Sequence, residues 1–191
     1  MINNETILKN SDYYIDLALI IAKIAHKGQK DKSGKDYINH PKTVASVSLY
    51  INKSKTNKTI KSIIALLHDT VEDTSVSSTD IRKIFGQEIA NSIKLLTRKD
   101  KNEPYFDYIQ RIKDSGDENA IAVKIADLLH NSDLSRLSEI TQKDLQRSMK
   151  YLGALSVLTD KEFLVYENKQ DIEEKRNEYC RILQVDSSSW K

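Results

Sequence analysis

The 191-residue chain has little of the residues that interrupt or cross-link a fold: five glycines, two prolines and one cysteine. A single cysteine, Cys180, excludes an internal disulfide framework and a cysteine-based zinc site, and it suits a reducing cytoplasm. Its neighbours Tyr179, Ile182 and Leu183 indicate that Cys180 lies on the buried side of a helix and is a core thiol. The scarcity of glycine and proline leaves few breaks in regular structure.

A large excess of one charge and a long apolar run are also missing. Thirty Lys and Arg residues against 28 Asp and Glu give a formal charge of +2, which argues against a dedicated nucleic-acid binder. No stretch approaches the roughly 20 apolar residues that a membrane span needs. The first ten residues lack the pattern of a secretory signal. We therefore expect a cytoplasmic protein that binds neither nucleic acid nor membranes. Assembly into a homo-oligomer is possible.

The apolar residues recur at spacings of three and four, which predicts an all-α fold, a compact multi-helix bundle. The predicted helices cover residues 11–28, 41–49, 60–69, 79–85, 87–96, 104–115, 118–137, 143–158 and 171–183. Residues 29–40 are predicted to form a loop, and the charged stretch 160–170 a turn region. No internal repeat or linker composition is present, so we expect a single domain over residues 1–191.

Two of these helices are too apolar for the surface and yet carry ionisable side chains. In residues 60–69 apolar side chains surround the helix until it reaches His68 and Asp69. In residues 118–137 one stripe is apolar, and Asp127, His130 and Asn131 share a second face with Ala120 and Val123. A carboxylate at position 127 is therefore walled by apolar side chains.

A buried carboxylate must be protonated, paired with a cation or bound to a metal. Within the helix of Asp127, Lys124 and His130 are spaced to contact its carboxylate. Elsewhere in the chain, His40 and His68 lie beside turns that we expect to be buried and are further candidate partners. Two imidazoles and two carboxylates would suit Mn²⁺, Fe²⁺ or Zn²⁺. The alternative is that each histidine is structural, which we expect for His26, whereas His130 could orient the site.

Five motifs in this chain resemble the RelA/SpoT-type HD hydrolase domain in their order and spacing. They are AHKGQ (25–29), SGKDYINHP (33–41), ALLHDTVEDT (65–74), IFGQEIA (84–90) and VKIADLLHN (123–131). The resemblance covers about residues 12–160 and leaves a helical tail over about 161–191. Because no synthetase region follows, the chain resembles a stand-alone small alarmone hydrolase.

This resemblance implies a Mn²⁺-dependent hydrolase of the stringent response that removes the 3′-pyrophosphate of ppGpp or pppGpp and releases GDP or GTP. The implied metal ligands are His40, His68, Asp69 and Asp127. Glu72 and Asp73 match the acidic pair that acts on the attacking water, and Asn131 and Tyr151 match nucleotide contacts. Because the substrate is strongly anionic, we expect lysines at the entrance, among them Lys30, Lys32 and Lys124.

The chain departs from the family pattern at three positions. Asp31 stands where the family usually has an arginine that stacks on guanine, and an aspartate cannot stack on a base. Asp36 replaces a frequent proline, and Leu128 replaces a basic residue. The change at Asp31 keeps open a second substrate, an adenosine alarmone (ppApp) or the 2′-phosphate of NADPH. A catalytically inert helical binding module is a third hypothesis, against which the complete set of ligands argues.

Overall fold

Helices form the regular structure in the computed structural model, which describes residues 2–52, 56–98, 100, 102–162 and 168–186. They are α1 (Asn4–Lys9), α2 (Ser11–Ala25), α3 (Asn39–Ser48), α4 (Lys58–Leu67), α5 (Thr70–Asp73), α6 (Ser78–Leu96), α7 (Tyr105–Asp114), α8 (Glu118–Asn131), α9 (Gln142–Thr159) and α10 (Lys169–Ile182). A 3₁₀ turn, Leu134–Arg136, lies between α8 and α9. An isolated bridge joins Lys30 to Asp36, and no strand forms within the described ranges. The all-α prediction is confirmed.

Helices α4 and α8 form the centre of the bundle. Helix α4 packs against α2, α3 and α8, and α8 packs against α3 and α9. The last five residues of α4 are all buried, and so is almost every residue from Ala120 to His130 in α8. Because both helices end among other helices, the polar side chains at those ends are held inside the fold.

Three predicted helix ends were wrong, the first being that of the predicted helix 11–28, which ends at Ala25. The predicted helix 60–69 ends at Leu67, and the chain turns at His68 and Asp69 before the short helix α5 begins. The predicted helix 118–137 ends at Asn131 because Asp133 has extended backbone and caps the 3₁₀ turn through the N–H of Ser135. Arg176 of α10 also contacts the Asp133 carboxylate, at 3.3 Å, and no sequence pattern reveals this tertiary contact.

Gly86 interrupts α6, as the sequence predicts. Its backbone has φ 82° and ψ 174°, which lies outside the helical region and is open chiefly to glycine. A Cβ atom at this position would lie 2.5 Å from the carbonyl oxygen of Ile2. The kink therefore requires glycine both for its backbone angles and for the close approach of the N-terminal segment.

The C-terminal part follows the predictions less closely. Cys180 is buried as expected, but Ile182, predicted beside it on the buried side, is exposed because it ends α10. Helix α10 begins at Lys169, inside the predicted turn region 160–170, of which residues 163–167 lie outside the described residues. Among the helices that the structure describes, none is long and apolar enough to cross a membrane.

Candidate metal centre

Three segments that are distant in sequence bring the predicted ligands together. His40 is the second residue of α3, His68 follows α4, and Asp69 precedes α5. One ligand atom of each lies within 4.8 Å of the others. Asp69 Oδ2 is 3.0 Å from His68 Nε2 and 3.5 Å from His40 Nε2. Both imidazoles are buried.

Asp127 joins this cluster from the last turn of α8. Its Oδ1 lies 3.2 Å from His40 Nε2 and 3.9 Å from His68 Nε2, and it accepts a hydrogen bond from Asn131 Nδ2. Its Oδ2 lies 2.8 Å from the Lys124 ammonium. The lysine therefore neutralises one side of the carboxylate, while the other oxygen faces the two histidines.

The hydrogen bonds of His68 show that these residues fit a divalent metal. His68 Nδ1 lies 2.7 Å from the carbonyl oxygen of Ala65, which can only accept, so Nδ1 carries the proton. His68 Nε2 then presents its lone pair toward Asp69, and this buried atom has no hydrogen-bond partner in the described part of the chain. A buried imidazole lone pair facing carboxylates is the donor set of a transition-metal site.

His40 is oriented by a chain of contacts that reaches the predicted loop. Its Nδ1 lies 2.7 Å from His130 Nδ1, which also lies 3.2 Å from Arg136 Nη1. Because the arginine can only donate, His130 Nδ1 is the acceptor, His40 Nδ1 is the donor, and His40 Nε2 is left to face the carboxylates. Arg136 Nη1 also donates to the His130 carbonyl, and Arg136 Nη2 donates to Asp31 Oδ2 at 2.6 Å.

The pKa shifts show how strongly the carboxylates of this cluster attract positive charge. Burial disfavours a charged His40, but the carboxylates of Asp127 and Asp69 outweigh it and raise the pKa of His40 to about 9, so near neutral pH its Nε2 carries a proton whose place a bound metal would take. Burial also opposes ionisation of Asp127, but Lys124 and His40 hold its pKa below the usual value. Burial, together with His40 and Arg136, lowers the pKa of His130 to about 2, which keeps that ring neutral and able to accept.

Helix α5 carries two further carboxylates, Glu72 and Asp73, close to the ligands. Glu72 Oε2 accepts a hydrogen bond from the backbone N–H of Arg98 at 2.7 Å. Burial and the nearby Asp69 raise the pKa of Asp73, and they raise the pKa of Glu72 although the Arg98 N–H opposes the shift. Carboxylates with raised pKa values next to a metal site are suited to accept a proton from water.

Two adjoining cavities open from this cluster. The metal-side cavity, about 270 Å³, is lined by the carboxylates of Asp69, Glu72, Asp73 and Asp127 and by the cations Arg98, Lys124 and Lys150. The loop-side cavity, about 190 Å³, is lined by His40 and by the charged residues Lys30, Asp31, Lys32, Asp133, Arg136 and Arg147. Tyr37, Asn131 and Tyr151 line both cavities and form the wall between them.

A family model described as an HD domain matches residues 18–151, more than half of the chain. This chain belongs to the HD domain family. The matched range contains His40, His68, Asp69 and Asp127, so the HD domain supplies the whole cluster described above.

Known relatives of this HD domain include much longer proteins. The bifunctional (p)ppGpp synthase/hydrolase SpoT of Escherichia coli K12 is 30% identical over 122 residues, which are 60% of this chain and 17% of SpoT. A GTP pyrophosphokinase of Streptomyces coelicolor is 31% identical over 123 residues, 61% of this chain and 14% of that protein. The chain thus spans less than a fifth of the length of these relatives.

A solved structure is similar over nearly the whole domain. It is described as a metazoan ortholog of SpoT that hydrolyzes ppGpp and plays a role in starvation responses. The likeness has a TM-score of 0.61 at 26% identity and covers 88% of this chain and 94% of that one. The predicted resemblance to the RelA/SpoT hydrolase region is confirmed.

The predicted substrate residues of this HD domain lie in different settings. Lys30 and Lys32 line the loop-side cavity, and the exposed Lys30 pairs with Asp36 at 2.6 Å. Lys124 lines the metal-side cavity but is almost buried, and its ammonium is bound to Asp127. Asn131 and Tyr151 face both cavities, and Asn131 also holds Asp127.

The sequence interpretation missed four cations that line the two cavities of the HD domain: Arg98, Arg136, Arg147 and Lys150. Lys150 Nζ lies 4.4 Å from the ring centroid of Tyr105, and burial together with Arg98 and Lys124 lowers its pKa. Arg147 precedes Tyr151 on α9 by four residues, a spacing that places both on one helix face and could have indicated it, whereas Lys150 is adjacent to Tyr151 and its position gives no such signal. Arg98 follows α6 in an irregular segment, and no sequence signal indicates its place at the cavity.

Proposed function

We propose that the chain is a metal-dependent pyrophosphohydrolase, with Mn²⁺ as its metal, that hydrolyses ppGpp and pppGpp to GDP or GTP and pyrophosphate. One observation carries the proposal: the buried lone pair of His68 Nε2 faces Asp69 and lies beside His40 and Asp127. The similarity to a solved ppGpp hydrolase over 88% of this chain supports this assignment. A single domain over residues 1–191 and a cytoplasmic location stay predictions of the sequence.

The residues around the cluster have separate tasks in this reaction. A divalent cation held by His40, His68, Asp69 and Asp127 would supply Lewis-acid activation of water and offset charge on the phosphoryl oxygens. Glu72 or Asp73, which both line the same cavity, would take up the proton of the attacking water. Phosphoryl transfer needs little covalent help beyond positioning and charge stabilisation.

The two cavities fit a substrate that carries phosphate at two places. In the metal-side cavity Arg98 and Lys150 line the same space as the acidic residues and would hold the 3′-diphosphate that is cleaved. In the loop-side cavity Lys30, Lys32 and Arg147 would face the 5′-diphosphate. A nucleotide with diphosphates on both the 3′ and the 5′ oxygen, as in ppGpp, places charge in both cavities at once.

The contacts of Asp31 favour a second candidate substrate. Its Oδ2 accepts from Arg136, and its Oδ1 accepts from the backbone N–H groups of Ser33 and Lys35. The carboxylate is therefore committed to the loop and does not offer a group for stacking on guanine. An adenosine alarmone, or NADPH through its 2′-phosphate, is the alternative that this observation supports.

The test is a product assay with purified protein, Mn²⁺ and a panel of ppGpp, pppGpp, ppApp and NADPH. We expect pyrophosphate and GDP from ppGpp, and no turnover after addition of a chelator. Orthophosphate release from NADPH alone would overturn the alarmone assignment and leave the metal site standing. No turnover of any substrate with Mn²⁺, Fe²⁺ or Zn²⁺ would instead support the inert binding module.

A further inference from the structure

Helix α2 exposes an apolar stripe on the side that faces away from the core. Its inner side buries Tyr14, Ala18 and Ala22, as expected for a core-facing helix. On the outer side Tyr13, Ile20 and Ile24 are 64%, 51% and 70% exposed. Apolar side chains on two separate sides of one helix normally have cover on both, so this outer face lacks its expected cover within the described residues.

The stripe has the spacing of a helix–helix seam. With the half-buried Leu17, the apolar residues lie at positions 13, 17, 20 and 24, which are steps of four, three and four. This alternation keeps apolar side chains on one line along an α-helix and is the pattern by which two helices pair. Exposed single apolar residues are ordinary, whereas a continuous line of them marks an interaction surface.

Charged residues flank the stripe on one side, with the acidic ones first. Asp12 and Asp16 lie in the first half of α2, and Lys23 and Lys27 lie near its end and just beyond it. All four are exposed, and none has an ion-pair partner within the part of the chain that the structure describes. The pairs Asp12 with Lys27 and Asp16 with Lys23 are centred on the same point, between residues 19 and 20.

We propose that α2 pairs in antiparallel orientation with α2 of a second copy of this chain. A two-fold axis normal to the plane of the two helices brings the same flank of each helix together, so each acidic half meets the basic half of the other copy. Leu17 and Ile20 then pack at the centre. The helix dipole favours acidic residues at the start and basic ones at the end, but it gives no reason for the apolar seam between them.

The first test is sedimentation velocity of the full chain over a roughly hundredfold concentration range centred on micromolar. We expect a concentration-dependent dimer. Ile20→Glu adds one carboxylate to each copy and brings the two close together at the centre of the seam. This repulsion should weaken association about tenfold or more. Ile182→Glu is the matched control, since Ile182 is a 45% exposed helical isoleucine on α10, and it should dimerise like the unaltered chain.

The second test separates the antiparallel pairing from other contacts. One variant carries Asp12→Lys and Asp16→Lys, and another carries Lys23→Glu and Lys27→Glu. Each variant alone should be monomeric, because the charges that flank its seam then all have one sign. A mixture of equal amounts should form a heterodimer, because the basic flank of one variant meets the acidic flank of the other. Circular dichroism and thermal melting verify that both variants are folded.

Three results would overturn the proposal: a monomer at every concentration, dimerisation of Ile20→Glu equal to that of the unaltered chain, or two charge variants that stay monomeric when mixed. If the chain is a monomer, the apolar stripe would instead be a binding surface for a different protein or for another segment of this chain. The readout is molecular mass, so the result does not depend on whether the chain hydrolyses ppGpp.

Discussion

The two halves of the candidate site are built differently. The metal half takes its ligands from the ends of α3, α4 and α8, which pack against one another in the core. The nucleotide half takes long cationic side chains from the loop 29–38, from the segment after α6 and from α9. Core packing determines the position of a short side chain such as His68, whereas a lysine or arginine has many rotamers and follows its neighbours. Substitutions in the two halves should therefore have effects of different size and kind.

The largest effect is expected in the metal half. Asp69→Asn removes a charged ligand between the two histidines and should lower kcat for ppGpp by at least about 10³-fold, more than is typical for residues that only orient ligands. Asp107→Asn, an exposed change on α7, is the control and should leave kcat unchanged. Rates of pyrophosphate release measure both, and activity that survives Asp69→Asn would contradict the proposed site.

The next effect concerns proton uptake by Glu72. Glu72→Gln should lower kcat by about 10²–10⁴-fold, the usual contribution of a positioned base. Burial and the carboxylates of Asp69 and Asp73 raise the pKa of Glu72 against the opposing Arg98 N–H. Because the base acts only when ionised, kcat of the unaltered chain should fall as acidification protonates Glu72.

The residue that causes this fall of kcat at low pH, the acid limb of the pH profile, can be identified by varying the metal concentration. Protonation of the histidine ligands competes with metal binding, so an acid limb caused by His40 or His68 moves to lower pH as the metal concentration is raised. A limb from Glu72 stays in place and disappears in Glu72→Gln. A limb that moves with metal and persists in the variant would exclude Glu72 as the base.

An intermediate effect is expected where the two halves meet, at the contacts from Asp31 to His40. Arg136→Gln should weaken metal binding about tenfold, the lower end of what residues that orient a ligand contribute. Adding Asp31→Asn should change little more, because both substitutions break the same chain of contacts. Calorimetric titration with Mn²⁺ measures the affinity without substrate. Fully additive losses, or an unchanged affinity, would show that the loop does not support the metal half.

The smallest effects are expected in the nucleotide half. Lys150→Ala should raise KM for ppGpp about tenfold and lower kcat less than Glu72→Gln does, since its ammonium lies at the cavity beside Tyr105 and would contact the diphosphate that is cleaved. Lys30→Ala should raise KM less than about threefold, because exposed ion pairs such as Lys30 with Asp36 are weak. Equal effects of the two variants on KM would mean that the burial of a cation does not determine how much it contributes to substrate binding.

The difference between the halves also decides what the sequence could predict. Asp127 and His68 were indicated by burial alone, because an apolar helix cannot hold a carboxylate or an imidazole without a partner. Spacing also indicated Lys124 as a partner of Asp127, but it could not decide between this ion pair and a lysine that faces the substrate at the entrance. The end of α8 depends on Asp133 and Arg176, residues 43 positions apart, whose contact no local pattern contains.

The ion pair between Lys124 and Asp127 has a consequence for charge at the metal centre. Two carboxylates and two neutral imidazoles would balance a dication and leave the loaded ligand set without net charge. The ammonium of Lys124, held 2.8 Å from one of those carboxylates, adds one positive charge to that total. The ligand set and the lysine together would then carry one positive charge, which offsets the ionised Glu72 carboxylate on the same cavity and lessens the repulsion that an arriving polyphosphate meets.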